Sequence, residues 1–469
     1  MKRFVVTLLA VCACVAFPAA SFAEGLPDLK YPRLKFNLPK PQRVALKNGM
    51  VLYMQEDHEL AVVEITSLVR IGSAYAPADK AGLAEMTGHL WRSGGTKTIT
   101  PGEMDEKLEF MGAGIETSIG MDSGTIGLKV MSKDLDAGLS LFSDIVKNPA
   151  FDEKRFTVFK RQMIENILRE EDEPDALVDR EFHKLLYRGH PFGVVPTKKT
   201  VEGITVEDCR NFYSRHVGPE SFIIGVSGDF KPAEMAARFE KLFASFAKAK
   251  EKFPAIPTVE DRKETGVYLL DRKLPQTAVR FGHLGINRKD PDYLSVRLMN
   301  YILGGGGFSS RLMKEVRSVR GLAYSVWSYF SGGESGKGAF MVGGETKAAS
   351  TYEFISVSAD LMRQMQEKGG TAEEVAFAKE AMINSFIFAF DKNTDILGRY
   401  LGIEYYDIQK NYLETFRDEI QAITPAKVTE TAKKRLHPDS LLIVVVGDKS
   451  VIGSALEKFG TVRVIENEK

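Results

Sequence analysis

Apolar and polar positions along this chain follow two periods, and the two periods come in the same order twice. After the turn signal Asn48-Gly49, the apolar runs 51–54 and 61–71 predict a strand, a break and a second strand. Thr100-Pro101 followed by Glu103 marks a helix start. Further on, Phe156, Phe159, Met163 and Ile167 fall on one face of a helix, and a closing strand is predicted over 221–227. The second half opens on the apolar runs 267–270 and 277–283 and closes on 440–446.

The likeness is a repeat in register. Ile204-Thr205, Pro219, Ser221, Ile224, Val226 and Gly228-Asp229 recur 219 positions later as Ile423-Thr424, Pro438, Ser440, Ile443, Val445 and Gly447-Asp448. The same offset carries Lys160, Met163 and Ile164 onto Lys379, Met382 and Ile383. Strands at both ends with helices between them predict two tandem α+β domains, each a mainly antiparallel sheet with helices on one face. The expected division is 24–246 and 267–469, joined by the polar stretch 247–266.

The 23 residues ahead of the first domain read differently. Lys2 and Arg3 precede an apolar run, and Ser21-Phe22-Ala23 offers a small-x-small cleavage site, so 1–23 is expected to be a secretory signal peptide that sends the chain to the periplasm or outside the cell. A poorer alternative is lipidation at Cys14. Of three cysteines only Cys209 survives processing, too few for an intrachain disulfide, and it is expected to be a packing residue on a helix. No second apolar run reaches the roughly 18 residues that span a bilayer. With 63 Lys and Arg against 63 Asp and Glu, no net basic charge favours nucleic acid as a partner.

Gly82-Leu83-Ala84 ahead of a helix, the run Gly304-Gly305-Gly306-Gly307 followed by Ser309-Ser310-Arg311-Leu312, His190-Pro191-Phe192-Gly193 and the Gly228-Asp229 strand end together resemble the pitrilysin/insulinase family of zinc peptidases, in its short processing-peptidase-like branch. The resemblance spans essentially the whole chain after residue 23 and implies one half of a two-chain clamshell. Active members carry HxxEH: two histidines on one helix face hold Zn²⁺ and the glutamate between them activates its water. Here those positions read Glu85-Met86-Thr87-Gly88-His89, so the first ligand has become Glu85 and the base Gly88, with only His89 kept. The third-ligand position falls at Asn166, with Glu165 beside it. A glycine cannot take a proton from a bound water, and no metal or other cofactor is expected in this chain.

The second half keeps what the first has lost. Arg317 and Tyr324, seven positions apart, are similar to the family's Arg/Tyr element, which implies that Arg317 holds substrate carbonyls and Tyr324 donates to the oxyanion of the attacked peptide. Arg320 is the competing arginine. The run 304–307 is expected to be a flexible turn, since no Gly-Lys-Ser/Thr follows it as in a phosphate loop. The resulting expectation is a non-catalytic subunit of a heterodimeric zinc peptidase that acts on peptides, inactive alone, with zinc and HxxEH in a homologous partner chain. Two alternatives stay open: a peptide-binding or assembly protein without hydrolytic role, and a peptidase with a rearranged metal site at Glu85 and His89.

Overall fold

A computed structural model describes residues 37–251, 255–260, 265–333 and 335–466. The expected signal peptide, with Cys12 and Cys14, lies outside the described residues. Among those described, no helix is long and apolar enough to cross a membrane.

Fourteen strands are described: β1 (Gln42–Ala45), β2 (Val51–Glu56), β3 (Val62–Val69), β4 (Gly114–Ile119), β5 (Gly124–Met131), β6 (Phe222–Gly228), β7 (Gly266–Asp271), β8 (Gln276–Leu284), β9 (Ile286–Asn287), β10 (Ala323–Phe330), β11 (Gly332–Gly333), β12 (Ala339–Lys347), β13 (Leu442–Gly447) and β14 (Val462–Val464). They form one sheet in the order β1-β2-β6-β3-β5-β4, a second in the order β10-β12-β8-β13-β7-β14, and the small pair β9-β11. Read from its central strands outward, each large sheet has the same plan. The closing strand, β6 or β13, runs parallel to the opening one, β2 or β7, and antiparallel to β3 or β8. Both folds are therefore mainly antiparallel α+β units, as the repeat predicts.

The offset of 219 holds for side chains as well. Lys160 Nζ donates to the carbonyls of Glu202 and Ile204 at 2.7 and 2.8 Å, and Lys379 Nζ donates to that of Gln421 at 2.8 Å. Each lysine so ties a long helix, Glu153–Glu170 or Ala372–Phe388, to the turn that precedes the penultimate helix of its half. The helix expected at Thr100 begins as the sequence predicts: Thr100 caps Pro101–Met111 in a reciprocal capping box with Glu103. Thr371 caps Ala372–Phe388 with Glu374 in the same way.

One arrangement exceeds the prediction. Each sheet carries its own helices on one face, and a helix of the opposite half covers the other. Pro174–Leu186 sends Leu177, Val178, Phe182 and Leu185 against Leu270, Ala278, Val444 and Val446 of the second sheet. In return Asn393–Tyr405 sets Leu397 and Leu401 against Tyr53 and Ile223 of the first. Neighbouring strand residues 223 and 224 thus enter different cores, as the period of two requires. Gly225 makes room for the visiting helix, since a Cβ there would stand 3.0 Å from Leu397 Cβ. Polar ties fasten the exchange: Arg43 to Glu404 at 2.6 Å on one side, and buried Arg280 to Asp175 and Asp179, each at 2.7 Å, on the other.

Within the expected linker, residues 255–260 are anchored at the motif His190-Pro191-Phe192-Gly193. Tyr187, Phe192 and Val259 share a small apolar cluster. His190 accepts from the Phe192 amide through Nδ1 at 3.1 Å, which leaves Nε2 to donate to the Pro257 carbonyl at 2.8 Å. Cys209 is wholly buried in the helix Val206–His216, and burial pushes its thiol up to about 11, consistent with the packing role expected of it.

A second buried histidine gives a pH test. His283 accepts the His437 amide on Nε2 at 3.1 Å, and its Nδ1 donates to the Leu284 carbonyl at 2.8 Å, so both nitrogens are committed in the neutral form. Burial drives its pKa down to about 3. The unfolded chain binds a proton near 6.5 and the native one does not, so stability is complete above that pH and falls as the pH drops. Between pH 7 and 5 this residue accounts for about 2 kcal/mol of lost stability. His283→Leu, followed by urea unfolding at both pH values, should shrink the difference by that amount.

Candidate functional site

The remnant of the zinc motif lies on the helix Leu83–Ser93, which starts at Gly82 in the left-handed region (φ +100). Leu83, Met86, Leu90 and Trp91 bury its inner face, leaving Glu85 and His89, four apart, on the outer one. The long helix Glu153–Glu170 packs beside it. His89 stacks flat on Phe159, with ring centroids 3.7 Å apart and planes 5° from parallel. Surrounding protein desolvates the imidazole, and Arg155 and Arg92 add like charge, so its pKa is lowered and it stays neutral. Desolvation, with Glu170 nearby, raises the pKa of Glu85. Asn166, seven residues after Phe159, falls on the same side of its helix, while exposed Glu165 stands 3.9 Å from Arg161.

Gly88 is the informative position. A Cβ built there would lie 2.5 Å from the Ile119 amide nitrogen and 3.0 Å from the Ser118 carbonyl carbon, both in the backbone of β4. Thr117 of the same strand donates to the Gly88 carbonyl at 2.7 Å. The helix has closed onto the strand in the space where a base would stand. Zinc with its family chemistry does not fit these residues: the base has no room, one histidine is a carboxylate, and an amide stands at the third-ligand position. Among the described residues, no three His, Cys, Asp or Glu side chains are grouped so as to hold a metal ion.

Arg317 and Tyr324 are brought together. Arg317 lies in the π-helical turn Met313–Val319, and Tyr324 is the second residue of β10, an edge strand of its sheet. The Arg317 guanidinium carbon is 4.5 Å from the centroid of the Tyr324 ring and 4.8 Å from that of Phe308. It is held between two faces, a contact worth about 0.5–2 kcal/mol. Tyr324 is 84% exposed and Phe308 73%. Among the described residues no carboxylate pairs with Arg317. Arg320, in contrast, is spent on Glu315 at 2.9 Å and Glu353 at 3.1 Å. Of the two arginines, the one that the family resemblance points to, Arg317, has no ion pair among the described residues.

Phe308 is the member that sequence reasoning missed. Its signal is a large apolar residue directly after four glycines, a place where core residues are not expected. The glycine run itself differs from the flexible turn expected. Residues Tyr301–Gly305 form a π-helical turn and Gly307–Ser309 a 3₁₀ turn. Gly304 is buried because its Cα packs onto β10: a Cβ would stand 2.4 Å from Ser328 Oγ. The Arg/Tyr pair and the remnant motif belong to different halves and share no hydrogen bond, ion pair or ring contact among the described residues.

Comparison with known proteins accounts for both halves. The model of the insulinase family, peptidase family M16, matches residues 51–195, and the model of the peptidase M16 inactive domain matches residues 203–382. An uncharacterized zinc protease of Rickettsia bellii is 26% identical over 428 residues, 89% of this chain and 99% of its own. A Helicobacter pylori protein described as a non-peptidase homolog is 24% identical over 408 residues, 85% of this chain and 92% of its own. The solved structure of a peptidase M16 inactive domain from Pseudomonas fluorescens is 27% identical, with a TM-score of 0.78 over 87% of this chain and 98% of that one. With the HxxEH positions occupied by Glu85, Gly88 and His89 and both halves matched, the chain belongs to the insulinase family of peptidases, M16, as a member with a degenerate zinc motif.

Proposed function

We infer that this chain is the non-catalytic subunit of a heterodimeric zinc metallopeptidase, exported to the periplasm, that acts on peptides. A homologous partner supplies HxxEH and its zinc. This chain supplies Arg317 to substrate carbonyls and Tyr324 to the oxyanion that forms as the peptide is attacked. The observation that carries the reading is the clamp of Arg317 between exposed Phe308 and Tyr324, with no acid paired to it among the described residues, in a chain where β4 fills the space of the base. Two donors held ready at an exposed strand end have no evident use in packing.

The test is co-expression with an HxxEH chain, followed by assay on an unstructured peptide. Activity is expected in the pair and in neither chain alone. Tyr324→Phe should lower kcat of the pair about 10²- to 10³-fold, the usual effect of removing one oxyanion donor. Arg317→Ala should raise KM as well. Full activity of both variants would exclude the role given to these residues. A rearranged metal site on Glu85 and His89 makes the opposite prediction: His89→Ala would abolish activity of the pair while Arg317 and Tyr324 stayed intact. An assembly protein without hydrolytic role predicts no activity with any HxxEH partner.

A further inference from the structure

The internal repeat shows which side chains the fold itself requires. The helix Ala372–Phe388 occupies the place of Glu153–Glu170, 219 positions earlier. Residues 4, 7 and 11 apart return to one side of a helix, so 158, 162, 165 and 169 form a single stripe. They read Val158, Gln162, Glu165 and Arg169, all exposed, as a solvated face requires. The same stripe in the second half reads Phe377, Ala381, Asn384 and Phe388. Phe377 is 54% exposed and Phe388 78%. The fold is served by glutamine, glutamate and arginine at these positions, so two phenylalanines facing water are not there for packing.

The stripe is continuous with the Arg/Tyr site. The ring centroid of Phe377 lies 6.4 Å from that of Tyr301. Tyr301, Met382 and Phe308 together line a groove of about 730 Å³, and Phe308 stacks on Arg317. Arg311 Nε donates to Glu374 at 2.8 Å, which fixes the start of the helix to the segment that carries Phe308. Midway along the stripe stands Asn384, exposed, whose carboxamide makes no hydrogen bond among the described residues. It offers one acceptor and two donors, the complement of a peptide backbone. Eleven residues of helix set Phe377 and Phe388 about 16 Å apart. An extended chain covers that span in about five residues.

We propose that this stripe binds an apolar segment of the substrate peptide away from the bond that is cut. The segment lies extended along the helix, with its backbone on Asn384 and two large apolar side chains, about five positions apart, on Phe377 and Phe388. The assignment rests on the reading that Arg317 and Tyr324 hold a peptide, because the aromatic path from Phe308 through Tyr301 to Phe377 leads the same peptide onto the helix. Two aromatic posts separated by Ala381 and a polar amide suit two side chains of one extended chain.

The experiment is fluorescence anisotropy on the full chain with labelled dodecapeptides of glycine and serine. One carries two phenylalanines five positions apart, one carries them adjacent, and one carries none. The first is expected to bind at least about tenfold more tightly than either of the others. The repeat itself supplies the variant: Phe377→Val, Ala381→Gln, Asn384→Glu and Phe388→Arg give this helix the stripe of its counterpart. Binding should fall to the level of the phenylalanine-free peptide, with the urea midpoint unchanged. Phe388→Arg alone, at the most exposed position, should weaken binding in the same direction. Equal binding of the three peptides, undiminished binding by either variant, or no binding by the parent would each overturn the proposal. So would a stripe whose exchange abolished self-association, or pairing with an HxxEH chain, and left peptide binding intact. Peptide binding beside an inactive pair would support the stripe and count against the subunit reading; an active pair whose parent chain bound none of the peptides would do the reverse.

Discussion

Replacing Gly88 with glutamate, alone or with Glu85→His and Asn166→Glu, destabilises the first domain and yields no peptidase. On an exposed helix a glycine interior to the turn costs about 1 kcal/mol relative to alanine, so filling it would normally help. Here the sign reverses, because the obstacle at 2.5 Å is the Ile119 backbone and cannot rotate aside. Either the helix Leu83–Ser93 lifts from the sheet, breaking the bond from Thr117, or β4 leaves β5, the strand it pairs with. Overpacking of this kind costs about 1–3 kcal/mol, and a glutamate whose carboxylate is pressed toward the strand adds a desolvation penalty. Gly88→Ala isolates the steric part. Urea unfolding should place it below the parent by about 1 kcal/mol or more; a stabilised alanine variant would mean that helix and strand are not in contact as described.

The second large effect concerns the tie between the halves. Arg280 is 1% exposed and holds Asp179 through Nε at 2.7 Å and Asp175 through Nη2 at 2.7 Å, with the Trp327 ring 5.0 Å from its guanidinium carbon. Its partners belong to the visiting helix Pro174–Leu186 and keep much of their solvent contact. The two sides of the pair are therefore unequal. Asp175→Asn with Asp179→Asn leaves a buried cation without counter-charge, a loss of about 3–5 kcal/mol. Arg280→Met leaves two carboxylates that water can reach and fills the core with apolar volume, so it should cost clearly less. Denaturant midpoints of the two variants give the comparison, and equal losses would show that the guanidinium is not buried against the helix as described.

Much of this was readable in the chain. The 219-residue offset reappears in the lysine-to-carbonyl ties, and the resemblance to the family's Arg/Tyr element points to Arg317 and Tyr324, which the structure places together. The exchanged helices were not anticipated, although Pro174–Leu186 and Asn393–Tyr405 obey the same offset. A signal existed: β6 and β13 are apolar almost without a break, the pattern of strands buried on both faces. Gly88 looked like a plain loss because the strand that demands a glycine lies well downstream, and a contact between distant segments leaves no local mark. Phe308 lies in a 3₁₀ turn between the π-helical turns Tyr301–Gly305 and Met313–Val319, whose spacing departs from the 3.6-residue period used to assign helix faces.

Neither half of this chain is a complete object. Cut apart, each would expose the outer face of its sheet, Tyr53 and Ile223 in one and Leu270, Val444 and Val446 in the other, together with the apolar stripe of a helix that has nowhere to dock. Two identical copies of a single half would resolve both exposures at once, each lending its helix to the other. The chain is in this sense a homodimer written as one polypeptide, and covalent continuity converts an encounter between two molecules into the folding of one.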